Sequence, residues 1–233
     1  MQFKDSGKLK AVTFSYDDGT TQDIQLVELL NKYNLKCTFN LNSERLGMEG
    51  RLTGENYSVN HTKVKAEDVK HIYDGHEVAV HSLTHPNLTK LSEEEIIRQV
   101  EQDRINLSGL CGYEVVGMAY PGGHYDDRLV DILKNKTGVK YSRAVQRTKS
   151  FEPFADLYRY CGTLYHHVDW NELFTLGEEF INLKAETPKV FYIWGHAYEF
   201  DIHPERWEMF DEFCKMISGK EDIFYGTNKE ILL

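Results

Sequence analysis

The sequence alternates short apolar runs with longer segments of helical periodicity, and this alternation constrains the fold more than any other feature. The apolar runs predict seven strands, at residues 11–16, 37–41, 77–80, 115–120, 141–145, 190–194 and 223–225. The segments of helical periodicity are residues 22–33, 66–73, 92–110, 126–135, 171–184 and 204–217. Repetition of strand and helix in this order indicates parallel strands joined by crossover helices.

The chain is expected to form a single domain over residues 1–233. A length of 233 residues suits one α/β domain, and no Gly-Ser linker or proline-rich hinge divides it. Parallel strands in this number form either a barrel or an open, doubly wound sheet, and the alternation leaves both architectures open. The polar stretch at residues 42–65 is expected to be a long loop or a small excursion over one face.

Polar clusters follow four of the predicted strands. They begin at Asp17, His81, Tyr120 and His196. In barrels and in doubly wound sheets the functional residues lie at the carboxyl ends of parallel strands. We therefore expect the four clusters to meet at one end of the sheet.

The first cluster contains two adjacent carboxylates, in the stretch TFSYDDGT at residues 13–20. A turn needs only one aspartate before its glycine, so a turn alone does not explain the second carboxylate. Asp-Gly is a common turn dipeptide, and a plain solvated turn is an equally good interpretation of this stretch by itself.

The second cluster has two histidines four positions apart, His81 and His85, with Pro86 directly after them. The proline disfavours helical geometry at His85, so the pair is expected in a loop or a single turn. An isolated pair of this kind is more often one buried and one exposed histidine than a metal site. Two histidines with one aspartate, however, make a three-ligand site with open positions for water, which is typical of catalytic metals. One carboxylate of the Asp-Asp pair would then bind the metal while the other handles protons.

Taken in order, five motifs resemble those of the polysaccharide deacetylase family, the NodB homology domain of carbohydrate esterase family 4. They are TFSYDDG, HSLTH, AYPGG, the pair Asp169–Trp170 and the strand leading to His196. The resemblance covers about residues 11–200. It implies a distorted (β/α) barrel of seven or eight parallel strands. It also implies removal of acetyl groups from N-acetylated sugars, with Zn²⁺, Co²⁺ or another divalent metal as cofactor.

The resemblance assigns a role to each motif residue. It makes Asp17 the general base and His196 the general acid, with Asp18, His81 and His85 as metal ligands. It makes the backbone N–H of Gly122 a donor to the oxyanion, and gives Asp169 a supporting role in catalysis. The expected substrate-binding residues are Tyr120, Pro121, Trp170, which would receive the acetyl methyl group, and His124.

The motifs depart from the family pattern at three positions. Ala119 replaces the arginine that normally begins the third motif and steadies the base, which leaves the environment of Asp17 open. Gly122 replaces an aromatic residue of the substrate groove, so a smaller or differently shaped substrate is expected. Gly195 precedes His196 where the family has an apolar residue.

Charge and hydropathy exclude some partners and leave several functions open. The chain carries 27 Lys+Arg against 37 Asp+Glu, a net charge of −10, without a basic block, so nucleic acid and anionic membranes are poor partners. Without an apolar leader segment, a cytoplasmic location and an acetylated sugar substrate are expected.

The alternatives on the same fold are an O-acetyl glycan esterase, a cyclic amide or imide hydrolase, and a catalytically idle sugar-binding protein. The oligomeric state is left open.

Overall fold

The computed structural model describes residues 2–167 and 170–233, apart from the side chains of Gln2 and Lys4. Its main sheet has nine strands: β1 (Lys10–Asp17), β2 (Cys37–Leu41), β5 (Glu77–Val80), β6 (Gly117–Ala119), β7 (Tyr141–Arg147), β8 (Tyr160–Gly162), β9 (Leu164–Tyr165), β10 (Lys189–His196) and β11 (Ile223–Tyr225). A separate antiparallel hairpin consists of β3 (Arg51–Thr53) and β4 (Ser58–Asn60).

The α-helices are α1 (Asp23–Lys32), α2 (Val69–Ile72), α3 (Glu93–Ile97), α4 (Asp103–Cys111), α5 (Asp127–Lys136), α6 (Trp170–Asn182), α7 (Glu199–Ile202), α8 (Glu205–Ile217) and α9 (Asn228–Leu232). A π-helical segment, Arg98–Gln102, joins α3 to α4, so the segment predicted at residues 92–110 is one interrupted helix. Ser92 caps it as an N-cap, accepting a hydrogen bond from the backbone N–H of Glu95 at 3.3 Å. In the part of the chain that the structure describes, no helix has the length and apolar character needed to cross a membrane.

The main sheet is a distorted barrel, which confirms the predicted fold class. Its strand order is β8-β7-β6-β5-β2-β1-β10-β9, with β11 also paired to β1, and every pair is parallel. Residues 160–165 supply both ends of this order, since β8 pairs with β7 and β9 pairs with β10. The backbone N–H of Thr163, between β8 and β9, donates to the Tyr192 carbonyl at 2.8 Å. This short segment therefore connects the two edges of the sheet.

The alternation of side chains along β1 separates a polar interior from an apolar exterior. Phe14 and Tyr16 point outwards, and their rings pack on Phe210 of α8 with centroids 5.9 and 6.3 Å away. Ser15 and Asp17 point inwards and share hydrogen bonds from the side-chain amide of one residue of β2. Since Asp17 is the last residue of β1, it is the inward residue nearest the carboxyl end of the barrel.

The predicted excursion at residues 42–65 contains the β3–β4 hairpin, which the sequence did not predict. Its end is tied to the loop after β1, because Val64 N–H donates to the Gly19 carbonyl at 2.9 Å and Gln22 Nε2 donates to the Asn60 carbonyl at 2.9 Å. The excursion therefore lies beside the carboxyl end of β1 rather than apart from it. The strands β8 and β9 and the short helices α7 and α9 were also not predicted.

Candidate active site

Strand register brings the first and last polar clusters together. Asp17, at the end of β1, is paired in register with Asn40 of β2 on one side and with His196 of β10 on the other. Asn40 Nδ2 donates to Asp17 Oδ1 at 2.8 Å. His81 follows β5, the next strand beyond β2, and the ring of His85 lies 4.8 Å from the His81 ring. The carboxyl ends of these strands therefore form one site, as the sequence predicted.

Three side chains of this site form a donor set that suits a divalent cation. The ligand atoms offered by Asp18, His81 and His85 all lie within 4.8 Å of one another. His81 Nδ1 lies 2.8 Å from the Ala119 carbonyl, so Nδ1 carries the proton and Nε2 is the free donor. Burial lowers the pKa of His81 to about 4 and also lowers that of His85. Both imidazoles are therefore neutral near pH 7, as metal coordination requires.

The backbone of this donor set is held in an unusual conformation. Asp18, Ser82 and His85 have φ values of +81°, +64° and +60°, in the left-handed region that residues other than glycine seldom adopt. Nearby hydrogen bonds hold two of them: Asp18 N–H donates to the Asn40 carbonyl at 3.0 Å and His85 N–H to Ser82 Oγ at 3.1 Å. Conformations of this kind persist where the surrounding structure imposes them, and they are frequent in functional sites.

Two residues of the excursion, His61 and Lys63, also reach Asp18. His61 Nε2 lies 3.3 Å from Asp18 Oδ2, and the buried Lys63 Nζ lies 3.8 Å from Asp18 Oδ1. Burial alone would raise the pKa of Asp18, but His61 and Lys63 outweigh it and hold that pKa well below its usual value. Asp18 is therefore an anion before any cation binds. Sequence patterns gave neither His61 nor Lys63 a role, since neither follows a predicted strand.

An arginine does accompany Asp17, but it comes from a different strand than the motif predicts. Ala119 of β6 is paired in register with Arg143 of β7, so their side chains point into the same region. Arg143 Nη2 donates to Asp17 Oδ1 at 2.5 Å and also to Oδ2. The guanidinium lies 4.6 Å from the centre of the Trp194 ring. The arginine missing at Ala119 is therefore replaced by one on the neighbouring strand.

This ion pair is fully inside the barrel and sets the protonation state of Asp17. Only 3% of Asp17 and 1% of Arg143 are exposed. Burial would raise the pKa of Asp17, but the Arg143 charge, with smaller contributions from His81 and His196, holds it below its usual value. Asp17 is therefore ionised at neutral pH and can accept a proton.

His196 is in the opposite protonation state, because of Glu199, three residues later in the chain. His196 Nδ1 lies 3.2 Å from Glu199 Oε1, and the His196 backbone N–H donates to Oε2 at 3.1 Å. Burial lowers the pKa of His196, but the Glu199 carboxylate outweighs it, with help from Asp18 and Asp17, and raises that pKa to about 9. His196 is therefore charged at neutral pH and can donate a proton.

Glu199 is itself held by two partners, the buried His166 and the partly buried Tyr165. His166 Nε2 lies 3.1 Å from Glu199 Oε2, and the Tyr165 hydroxyl donates to Oε1. The other nitrogen of His166, Nδ1, lies 2.7 Å from the Tyr16 hydroxyl. Burial raises the pKa of Glu199, but His196 and His166 outweigh it and hold the carboxylate ionised.

The glycine that departs from the fifth motif makes room for this arrangement. A Cβ atom on Gly195 would lie 2.8 Å from two atoms of the His166 ring, which is closer than real Cβ contacts allow. Any larger residue would push His166 away from Glu199. Gly195 and Glu199 therefore belong to one arrangement, which the sequence did not reveal because it joins residues 166, 195 and 199.

The other predicted site residues lie in or just after the third motif, except for Asp169 and Trp170. Gly122, with a φ of +61°, and His124 are exposed where the third motif follows β6. Trp170 is half-buried and packs on His166, with ring centroids 5.8 Å apart. Asp169 lies outside the described residues.

Two predicted substrate-binding residues, Tyr120 and Pro121, are buried. Tyr120 is only 1% exposed, its hydroxyl donates to the Tyr158 carbonyl at 2.8 Å and its ring stacks on Tyr125. Pro121 is also buried. Both side chains pack beneath the third motif in this structure, and a contact of either one with substrate stays a prediction.

Comparison with known proteins identifies the family. The sequence profile described as polysaccharide deacetylase matches residues 4–142. The chain belongs to this family. Among curated relatives, it is 29% identical over 107 residues to a bifunctional xylanase/deacetylase of Pseudobutyrivibrio xylanivorans, covering 46% of the chain. It is 26% identical over 124 residues, 52% of the chain, to the peptidoglycan-N-acetylglucosamine deacetylase PgdA of Listeria monocytogenes. The matched segments span only 15% and 23% of these two relatives' own lengths.

Solved structures of carbohydrate esterase family 4 share the fold. A family 4 carbohydrate esterase from Streptomyces lividans superposes with a TM-score of 0.58 at 16% identity, over 94% of this polysaccharide deacetylase chain and 93% of that one. The peptidoglycan deacetylase PdaC of Bacillus subtilis gives a TM-score of 0.59 at 20% identity, with coverages of 96% and 90%. A family 4 pseudoenzyme from Bacillus anthracis gives 0.59 at 19%, with coverages of 96% and 66%. Since the fold is shared by esterases and a pseudoenzyme, activity has to be argued from the site.

The first prediction concerns Arg143. We expect Arg143→Met to lower the free energy of unfolding at pH 7 by about 3–5 kcal/mol, because Asp17 is left as an unpaired buried anion. The loss should shrink at acid pH. The pKa of Asp17 is lowered in the folded state. Its ion pair with Arg143 therefore adds to the free energy of unfolding above the pKa of an unfolded aspartate, and this contribution is lost as the pH falls through the folded-state pKa. Urea unfolding at both pH values measures this.

A swap variant tests whether the position of the arginine on β6 or β7 matters. Because Ala119 and Arg143 are register partners, Ala119→Arg combined with Arg143→Ala should recover a large part of the stability lost in Arg143→Ala alone. Equal stability of the single and the double variant would contradict the equivalence of the two positions.

The second prediction concerns Glu199. In Glu199→Gln the neutral amide no longer stabilises the imidazolium, so the pKa of His196 should fall from about 9 towards the lower value that burial favours. NMR titration of the histidine ring signals in metal-free protein measures this directly. Tyr165→Phe is the matched control, because it removes one hydrogen bond to Glu199 but keeps the charge. A titration midpoint unchanged in Glu199→Gln would show that Glu199 does not set the charge of His196.

Proposed function

We propose that this polysaccharide deacetylase family member is a metal-dependent hydrolase that removes acetyl groups from N-acetylated sugars. One observation carries the proposal: a buried ionised aspartate and a charged histidine flank a donor set that suits a divalent cation. Asp17 and His196 are register partners on adjacent strands, with Asp18 next along the chain. A binding protein would need neither a base nor an acid at this place.

We assign Asp18, His81 and His85 as the metal ligands. Two neutral imidazoles and one carboxylate suit Zn²⁺, and Co²⁺ is also compatible with this ligand set. A divalent metal bound there would polarise the acetyl carbonyl and make a bound water more acidic. The nearby Lys63 ammonium lies 3.8 Å from Asp18 Oδ1, so it would have to move or lose a proton when a cation binds.

The protein's own groups handle the protons. Asp17 accepts a proton from the attacking water, and Arg143 and Asn40 fix the orientation of its carboxylate through their hydrogen bonds. His196 gives its proton to the nitrogen of the leaving sugar, which would otherwise depart as a very poor leaving group. Each of these transfers is typically worth about 10²- to 10⁴-fold in rate.

The remaining roles keep the assignments implied by the motifs. The Gly122 N–H is the oxyanion donor, Trp170 receives the acetyl methyl group, and Asp169 supports the catalytic groups. We assign a substrate contact to His124, which is exposed two positions after Gly122.

Three observations favour an N-deacetylase over the alternatives. The charged His196 suits amide cleavage, since an ester's alcohol leaves more readily and needs less protonation. The ion pair of Arg143 with Asp17 supports an active base and weighs against an idle sugar-binding protein. The two curated relatives named above are described as deacetylases, one of them acting on N-acetylglucosamine of peptidoglycan, which supports an N-acetylated sugar.

The third prediction separates the base from the metal ligands. Asp17→Asn should reduce acetate release from N-acetylated oligosaccharides by at least about 10²-fold while metal content stays near that of the wild type. His81→Ala should lose both activity and metal. Acetate release is measured on metal-stripped protein with and without Zn²⁺ or Co²⁺, and metal content by elemental analysis. Full activity of Asp17→Asn, or release without metal, would contradict the assignment.

The fourth prediction tests the acid. His196→Ala should reduce cleavage of an N-acetyl sugar much more than cleavage of an aryl acetate, because the aryl oxide is a good leaving group and needs no proton. Rates on both substrates are measured with the same enzyme preparation. Equal losses on the two substrates would remove His196 from the acid role.

A further inference from the structure

Lys63 is a buried lysine beside the assigned metal ligands, and the proposed mechanism gives it no task. Its side chain is only 5% exposed, and Nζ lies 3.8 Å from Asp18 Oδ1 and 3.4 Å from His61 Nε2. A buried charge is found where a partner offsets the free-energy cost of removing it from water. Asp18 is that partner here, so the carboxylate assigned to a divalent metal already faces a cation.

The backbone of Lys63 is fixed, so only its side chain can move. Its backbone N–H donates to the Met48 carbonyl at 2.9 Å, and Lys63 forms an isolated antiparallel bridge with Thr20, in the loop after β1. The next residue, Val64, donates its N–H to the Gly19 carbonyl at 2.9 Å. These bonds hold the main chain of Lys63 beside the site. The conformation of its flexible stem therefore determines which group the ammonium contacts.

A second set of acceptors for the ammonium is buried nearby. The Tyr73 hydroxyl donates to Oδ2 of Asp23, the first residue of α1, at 2.7 Å. Asp23 Oδ1 is buried and has no hydrogen-bond partner among the described residues, and the same is true of Oγ1 of Thr20, which is paired with Lys63 in the bridge. Buried acceptors without a partner are uncommon in folded proteins. Asp23 and Thr20 therefore offer the ammonium a second position.

The protonation of the two carboxyl groups fits one shared ammonium. Burial raises the pKa of Asp23 to about 8, and the Tyr73 hydrogen bond and the Lys63 charge oppose this rise only in part. Burial would raise the pKa of Asp18 as well, but His61 and Lys63 outweigh it and hold that pKa well below its usual value. An ammonium in contact with Asp23 would favour its ionised form. In this structure the ammonium is at Asp18, and Asp23 is without a cation in contact.

We propose that Lys63 is a resident cation of the assigned metal site and that it sets the affinity for the metal. Its ammonium pairs with Asp18 in the metal-free protein and moves to Asp23 and Thr20 when a divalent metal is bound. Lys63 is thus an affinity-determining residue without a part in the chemistry. This inference rests on the metal ligands assigned in the proposed function.

The fifth prediction compares Lys63→Met with Lys65→Met in metal-stripped protein titrated with Zn²⁺. Lys63→Met should bind Zn²⁺ at least about tenfold more tightly than the wild type, because no ammonium has to be displaced from Asp18. Lys65→Met is the matched control, since it removes the same charge from an exposed side chain of the same segment and should leave the affinity unchanged. Competition with a chromophoric chelator measures the affinity without any need for turnover.

Asp23→Asn tests the second position of the ammonium. The amide can still accept the hydrogen bond from Tyr73, but it is a weaker acceptor for an ammonium than a carboxylate is. The affinity for Zn²⁺ should therefore fall by about tenfold where Lys63 is present, the difference between a charged and a neutral hydrogen bond, and change little in the Lys63→Met background. Equal falls in both backgrounds, or none in either, would overturn the movement to Asp23.

The outcomes distinguish this inference from the proposed function. Tighter binding by Lys63→Met than by Lys65→Met supports the inference even if no variant releases acetate, in which case only the deacetylase activity fails. Equal Zn²⁺ affinity of the wild type and Lys63→Met would overturn the inference and leave the ligand assignment standing. Absence of Zn²⁺ binding in every variant would overturn both. Thermal unfolding with a chelator present checks the fold, and Lys63→Gln gives the same comparison if the methionine variant does not fold.

Discussion

The ion pair between Asp17 and Arg143 is the interaction on which the rest of the site depends. Both groups are almost fully removed from water, at 3% and 1% exposure, so neither charge is tolerable without the other. Their contact requires β1 and β7 to face each other across the barrel interior, and this interior is polar for that reason. Asn40 adds a hydrogen bond from β2 and completes the surroundings of the carboxylate. The barrel thus keeps the Asp17 carboxylate ionised in a place where an isolated carboxylate would take up a proton.

A second pair, the partly exposed His196 with the buried Glu199, produces the complementary state. The carboxylate keeps the imidazole protonated, whereas the guanidinium keeps Asp17 deprotonated, so each half of the site is close to neutral while its reactive group is charged. The two reactive groups are neighbours in register on β1 and β10. The imidazolium and the carboxylate are therefore neighbours, and each is kept in its charged form by its own partner.

Sequence reasoning recovered the features that depend on the periodicity of apolar residues and on position after a strand. Strand ends located Asp17, the donor set and His196, because the carboxyl ends of parallel strands converge whatever the details of packing. It missed Arg143, since a charged residue within a predicted strand gains its meaning only from the register with the neighbouring strand. An arginine inside the buried run at residues 141–145 was an available signal. Glu199, His166 and Gly195 could not be grouped, because they lie on separate segments. His61 and Lys63 belong to an excursion without periodicity. Two predicted substrate contacts, Tyr120 and Pro121, are buried.

The pairing of Ala119 with Arg143 has a consequence for how sequences of this family are interpreted. A column of aligned residues records what stands at one place in the chain, whereas the guanidinium is required at one place in space, which two adjacent strands can both reach. A chain scored at the third motif alone would be classed as lacking its arginine and set beside the inactive members. The unit to compare is therefore a layer of the barrel, meaning the residues of neighbouring strands that are paired in register. Comparing the charged residues of each layer distinguishes a relocated arginine from a lost one.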